Sequence, residues 1–404
     1  MTHAHALALS LSLRTAVERG LVRDPAVLQA RAATHAAAAQ TLAARAGSAP
    51  QLFVSYANAP QSGSAGTIAQ RSTIVGIGKT FEIPALTGAQ TAAARSGQQA
   101  VDEALIRARG EATVRIVGDY LGAVVAGDQA AIAADAVGAA KRVLDAAQLR
   151  LRSGDGPAIA VDQATAAYAS AQAVRAAADG RRDAAYVALD LAVGLDPSAR
   201  PALQEPAAAI TAVPNAAAAL AAALRARPDL RSADAEVRAA RASLRAAELA
   251  YAPSLDVSAG RQSGIDTGVP VAGGTVSVSL HLPLDTSGAM RAQVERARAE
   301  LDGALARREE VRRSVVQDVE SATADVRSAQ VRVAAEARAV DAARRAAAAA
   351  ALGFSQGVTS AVDVLLAQSQ YAAARGSLIS AEADAVKARY ALRTAEGVDP
   401  DVIR

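Results

Sequence analysis

The pattern of hydrophobic and polar positions changes period along the chain. Val276, Val278, Leu280 and Leu282 alternate with Ser277, Ser279 and His281, and Leu255, Val257 and Ala259 alternate with Asp256 and Ser258. A period of two puts apolar residues on one face of a strand and polar residues on the other. Val75, Ile77, Phe81 and Ile83 follow the same rule against Gly76, Gly78, Thr80 and Glu82, with Lys79 as the break. Strand pairs are therefore predicted at about 51–59 with 72–84 and about 254–262 with 274–283, joined by Gly/Ser/Thr-rich connections near 61–72 and 262–274. Elsewhere the period is helical. Val319, Val326, Val333 and Val340 recur every seven residues around Ala322 and Ala329, and Val137, Leu144 and Leu151 keep the same interval, as a coiled-coil seam does. Long helices are predicted over about 86–152 and 286–353, each followed by a loop and a shorter helix at about 158–193 and 360–396. About 65 helical residues make a rod of about 100 Å, which places the helical turns far from the strands. Gly110, Gly118, Gly122 and Gly127 predict a bend in the first rod.

The two halves are copies of one another. Pro25 and Pro50 recur as Pro228 and Pro253, 203 residues on, and Gly194-Leu195-Asp196-Pro197 recurs as Gly397-Val398-Asp399-Pro400. Gly156 to Asp162 matches Gly357 to Asp363 at 201. This self-similarity gives a first repeat over 1–200, a linker over 201–218 and a second repeat over 219–404. The fold class is mainly α with a small β part.

Composition sharpens this picture. Of 404 residues 112 are alanine, against 3 Phe, 7 Tyr and no Trp, which suits long helices with closely approaching backbones rather than a conventional enzyme core. The 43 basic and 40 acidic residues are interleaved, so nucleic acid is not an expected partner. With no cysteine, disulfides, thiolate metal sites, Cys nucleophiles and lipidated N-terminal Cys are excluded. No run of 18 apolar residues appears, which excludes a transmembrane helix from the expected architecture. Residues 4–13 lack the basic region and cleavage site of a signal peptide, so the chain either stays inside the cell or begins near its mature N-terminus. No catalytic residue, metal or cofactor is predicted. His3, His5, His35 and His281 are too scattered for a metal site, and Gly76-x-Gly78-Lys79-Thr80 lacks the glycine spacing of a phosphate loop.

On pattern alone, four strands with one apolar face fit two architectures. They could cap a helical bundle as soluble hairpins. They could also form part of a tilted transmembrane barrel, whose strands are of this length; four cannot close, open edges are not tolerated in lipid, and three copies would give twelve. A soluble coiled-coil scaffold and an amphipathic lipid-binding protein are the competing function classes.

Two stretches carry a resemblance. Ala226-Arg227-Pro228-Asp229-Leu230-Arg231-Ser232-Ala233-Asp234-Ala235-Glu236, running on to Tyr251-Ala252-Pro253-Ser254-Leu255, and Phe354-Ser355-Gln356-Gly357-Val358, followed by Val362-Asp363-Val364-Leu365 and Gln368, are similar to motifs of the TolC-type outer-membrane efflux proteins. The resemblance covers essentially the whole chain. It implies a homotrimer whose 12-stranded barrel crosses the outer membrane among its lipids and continues as a periplasmic helical tunnel. It further implies a passive exit duct for metal ions or small toxic compounds, working with a periplasmic adaptor and an inner-membrane pump. Leu282-Pro283-Leu284 with Gly288 looks most like the heavy-metal branch. By resemblance, Asp162 and Asp363 ring the closed periplasmic aperture, a second acidic ring is lost because Leu366 takes its place, and Gly154, Gly156, Gly353, Gly357 and Val358 form the turns that meet the adaptor. Residue chemistry alone supplies simpler roles: a carboxylate at a helix N-terminus for the aspartates, and positive φ at Gly156 and Gly357. The chain departs from the family pattern in its lack of a secretion signal and of an aromatic girdle at the strand ends.

Overall fold

The computed structural model describes residues 10–58, 61–63, 66–68, 70–154, 156–204, 215–266 and 269–398. His3, His5, Asp155, Asp399, Pro400 and most of the predicted linker lie outside the described residues. In chain order the elements are β1 (Ser10–Leu11), α1 (Leu13–Arg23), α2 (Pro25–Ala46), β2 (Gln51–Asn58), β3 (Gln61–Gly63), β4 (Gly66–Ile68), β5 (Arg71–Phe81), α3 (Pro84–Ser153), α4 (Ala158–Val193), β6 (Ala202–Leu203), α5 (Ala216–Ala226), α6 (Pro228–Leu249), β7 (Ser254–Asp266), β8 (Val269–His281), α7 (Ala289–Ser355) and α8 (Ala361–Ala395).

Local chemistry sets the helix starts. Pro25, Pro84 and Pro228 open α2, α3 and α6, where the missing N–H costs nothing. Ser12 accepts the Thr15 amide ahead of α1, and Asp24 accepts the amides of Ala26 and Val27 ahead of α2. The helix α3 runs unbroken through the four glycines. It also contains an 18-residue stretch apolar enough by length and composition to cross a membrane, although the stretch is no run of 18 apolar residues. The physical reason is alanine, which raises the mean hydropathy of a stretch without forming a run of large apolar side chains; 39% of that stretch is buried.

Two compact units form, and each draws on both sequence halves. The first comprises Met1–Ala30, Leu105–Pro228 and Arg312–Arg404. Its core joins Leu11, Ala16, Leu21, Val27, Ala112, Ile116, Tyr120, Ala123, Leu189 and Val193. Tyr120 is fully buried; its hydroxyl lies 2.8 Å from the Leu11 carbonyl and 2.7 Å from that of Gln204, and accepts the Gln204 amide at 2.9 Å. It thereby ties the parallel pair β1–β6 to α3. The α7 seam is buried at Val315, Val319, Ala322, Val326 and Ala329, then half-buried at Val333 and Val340. In α3, Leu144 is buried and Leu151 exposed, so the first seam opens toward its end. An Arg375–Asp135 ion pair of 2.9 Å links α8 to α3.

The second unit comprises Arg31–Ala104 and Asp229–Val311. Here Ser232 donates to the Ala100 carbonyl at 2.9 Å, Arg231 lies 3.7 Å from Glu103, and Arg308 pairs with Asp234, so the start of α6 is cross-linked to α3 and α7. The sheet has the order β2-β5-β7-β8 and is antiparallel throughout. β7 and β8 are longer than predicted. Gln262 pairs with Gly273 and Gly264 with Val271, so most of the Gly/Ser-rich stretch read as a connection is ladder. Small residues resemble loop composition, but their backbone groups pair as well as any. Part of the other connection forms its own short hairpin, β3 with β4.

Candidate functional site

The register fixes the two faces of the sheet. Leu52, Ile77, Ala259 and Val276 lie side by side across the four strands, Phe81, Leu255 and Leu280 form a second row, and Lys79, Val257 and Val278 a third. Among the described residues none covers the middle of this apolar face: Val276 is 77% exposed and Leu52 74%. The opposite face carries serines, glycines and threonines with Asp256, Gln262 and His281, and also the apolar Phe53, Ile74, Val269 and Val271. There Thr80 donates to Asp256 at 2.7 Å and His281 Nδ1 lies 3.2 Å from the same carboxylate. At the two edges, β2 and β8 each pair on one side only.

Between the sheet and α7, Asp285 accepts the backbone amides of Met290 at 3.2 Å and Arg291 at 3.1 Å. Desolvation pushes this carboxyl up, but these hydrogen bonds and the Arg291 guanidinium outweigh it and hold the pKa below the ordinary value.

The helical turns lie in the first unit and are brought together. Val143, Leu144, Ala147, Ala164, Ala361 and Val364 form one core, with Phe354 and Tyr168 packed against it. The Arg150 guanidinium stacks over the Phe354 ring at 4.3 Å and donates to the Phe354 carbonyl. Gly357, at φ 77°, ends α7: its amide donates to the Phe354 carbonyl at 3.1 Å, and the Val358 amide to Gly353 at 2.9 Å. This is the two-bond cap that a left-handed residue makes possible. Gly154, at φ 78°, follows α3, and its amide donates to the Leu151 carbonyl at 3.2 Å. Positive φ therefore belongs to Gly154 and Gly357, which corrects the assignment of that role to Gly156. Gly156 instead permits close approach, since a Cβ there would meet Arg150 Cβ at 3.0 Å. At Gly353 a Cβ would collide with the Thr359 hydroxyl. Val358 is 82% exposed, and Leu352, Val362 and Leu366 on the same hairpin and Leu149 and Ile159 on the other are exposed too.

The two aspartates occupy equivalent chain positions but unequal local environments. Asp363 is the third residue of α8 and closes a capping box: its carboxylate accepts the Ser360 amide at 3.3 Å and hydroxyl at 2.7 Å, while Ser360 Oγ accepts the Asp363 amide at 3.2 Å. In the repeat register α4 starts two residues earlier than α8, so Asp162 is its fifth residue, beyond the reach of a cap. The α4 N-cap is Pro157, which has no side-chain bond to give. Asp162 is exposed and has no hydrogen-bond or ion-pair partner among the described residues.

The profile of the outer membrane efflux protein family matches residues 16–195 and again residues 219–398. The chain belongs to the outer membrane efflux protein family. Its fold is that of solved outer-membrane channels. The CmeC channel of Campylobacter jejuni is 17% identical, with a TM-score of 0.82 over 95% of this chain and 85% of that one. VceC of Vibrio cholerae is 22% identical, with a TM-score of 0.77 over 96% of each chain. The open-state MtrE channel of Neisseria gonorrhoeae is 20% identical, with a TM-score of 0.78 over 99% of this chain and 94% of that one. No curated protein matches the sequence. As an outer membrane efflux protein, the chain is a component of an efflux channel, and the family is one of channels rather than catalysts.

Sequence reasoning missed two features of this efflux protein. Tyr56 and Phe81 both lie on the apolar face, and Tyr56 stands opposite Thr73, eight residues from Phe81 along β5. At about 3.4 Å per residue they are about 27 Å apart along the strand. The Arg150–Phe354 contact was also missed, because its partners are 204 residues apart and no local pattern announces it.

Proposed function

We propose that three copies of this chain close a 12-stranded barrel in the outer membrane and act as the passive exit duct of a tripartite efflux system for metal ions or small toxic compounds. The observation that carries this reading is the open-edged sheet with one exposed, largely apolar face. An apolar face of this extent suits lipid, and two unpaired edges suit β2 of one copy joining β8 of the next. A soluble scaffold would leave both features without a purpose. On this reading each sequence repeat contributes one strand pair and one helical hairpin, and a periplasmic adaptor and an inner-membrane pump supply the selection and energy.

The turns at Gly154–Gly156 and Gly353–Val358 are the surface offered to the adaptor, and Asp162 and Asp363 gather negative charge at the periplasmic aperture. Exposed Val358 and Leu352 support the first assignment. Val358 follows the left-handed residue, so its side chain is free of the cap's backbone demands. Val358→Asp is expected to leave trimer yield and membrane insertion intact while abolishing export and adaptor cross-linking in cells. Normal export by that variant at normal expression would remove this turn from the docking surface.

A further inference from the structure

Charge is divided between the two faces of the sheet. Among the described residues the apolar face carries three cations, Lys79, Arg71 and Arg261, and no carboxylate; the opposite face carries Asp256 and no Lys or Arg. Lys79 lies near the helix-proximal end with its ammonium over the Phe81 ring at 5.2 Å. The two arginines lie toward the hairpin end. Arg71 stands between Asn58 and Ile265, and Arg261 between Val75 and Gly274. Both are exposed, and among the described residues neither has a hydrogen-bond or ion-pair partner.

The row between them carries Tyr56, Thr73 and Ser263 in register, three hydroxyls on the same face. Guanidinium, hydroxyl and guanidinium rows thus follow one another at the point where the apolar band ends. Gly274 beside Arg261 has no side chain, and a Cβ built there meets nothing within 4 Å, so the face is notched next to that guanidinium. An arginine at mid-bilayer is costly, whereas at the interface its long stem lies along apolar surface while the head reaches polar groups. Among the described residues no carboxylate pairs with either cation.

We propose that Arg71 and Arg261, with the hydroxyls of Tyr56, Thr73 and Ser263, form a binding rim for phosphate-bearing lipid headgroups. The inference rests on the reading of this face as the membrane wall. Four residues along neighbouring strands separate the two arginines by about 14 Å, too far to share one phosphate, so each guanidinium takes its own by a forked pair of hydrogen bonds. The surface also sets the vertical position of the barrel, since moving either arginine deeper would strip it of its phosphate.

The test uses the full-length protein in non-ionic detergent, first mixed with phosphatidylcholine vesicles and floated, then offered phosphatidic acid and phosphatidylcholine in competition, with retained lipid counted by native mass spectrometry. The wild type is expected to prefer phosphatidic acid on the order of tenfold, as two interfacial arginines would give. The double variant Arg71→Gln/Arg261→Gln should fall to near parity, and Arg71→Glu/Arg261→Glu should prefer the zwitterionic lipid, while both still float. Wild-type protein that floats but shows no preference, or a preference unchanged in the variants, would overturn the rim and leave the membrane wall standing. Protein that fails to float at all would overturn the membrane wall and the rim with it.

Discussion

Asp363 has two candidate roles that one pair of substitutions separates. In the capping box its carboxylate accepts two hydrogen bonds from Ser360, and its charge lies at the positive end of α8. Loss of such a cap costs about 1 kcal/mol per chain, of which the charge near the helix dipole supplies about half. Asp363→Ala removes both parts. Asp363→Asn keeps an acceptor oxygen on Ser360 and removes only the charge, so its cost should be about half of that. Hydrogen exchange of the amides at the start of α8 reads the difference directly: about fivefold faster in the Ala variant, and less than that in the Asn variant. Cation block in planar bilayers reads the other role, because both variants remove the same charge and should relieve block by multivalent cations equally. Asp162 supplies the control, since it caps nothing. Asp162→Ala and Asp162→Asn should both leave exchange unchanged and both weaken block. Equal exchange in the Asn and Ala variants of Asp363 would refute the cap energetics. Unchanged block in all four would refute the aperture role.

Three further outcomes follow from the same structure. Val276→Arg places a charge in the middle of the exposed apolar face and should cost about 2–4 kcal/mol if that face meets lipid, read as loss of folded protein in refolding titrations into bilayers; a cost near zero would argue for water there. Asp190 is fully buried and neither carboxylate oxygen finds a hydrogen-bond partner among the described residues, and desolvation raises its pKa despite the opposing charge of Arg200. A raised carboxyl pKa means that the fold favours the protonated form, so stability is greatest below the unfolded-state pKa and falls as pH rises through the folded-state pKa. Asp190→Asn should therefore gain stability over the wild type at neutral pH and lose that advantage in acid; a difference independent of pH would show that ionisation is not the cause. Tyr120→Phe removes the hydroxyl from the Leu11 and Gln204 carbonyls and leaves the Gln204 amide only its 3.3 Å bond to the Leu11 carbonyl, and should cost about 1–3 kcal/mol in thermal unfolding.

The helices were legible because their signals are local. The valine heptads of α7, Pro at helix starts and glycine after helix ends lie within a few residues of what they specify. Even the unequal treatment of the two aspartates was written there, since Ser360-x-x-Asp363 is a capping-box pattern and Pro157 with Ile159 is not. Strand ends were obscured where glycine and serine pair in a ladder while resembling a loop. The pairing of β5 with β7, which joins the two repeats into one sheet, has no local signature, and neither has the clasp of Arg150 on Phe354. Faces were readable within each strand, but the row that aligns Tyr56, Thr73 and Ser263 emerges only from the register.

The barrel itself is the central claim, and the absence of cysteine makes it directly testable. Cysteine pairs placed one on β2, at Ser55, and one on β8, at Thr275, Ser277 or Ser279 in turn, report whether the edge of one copy lies against the opposite edge of the next. Oxidation in detergent or bilayers should produce a ladder on a denaturing gel that ends at three chains for at least one pair. A water-soluble monomer that forms no bond between chains, or a ladder that runs on past three, would contradict the closed trimeric barrel.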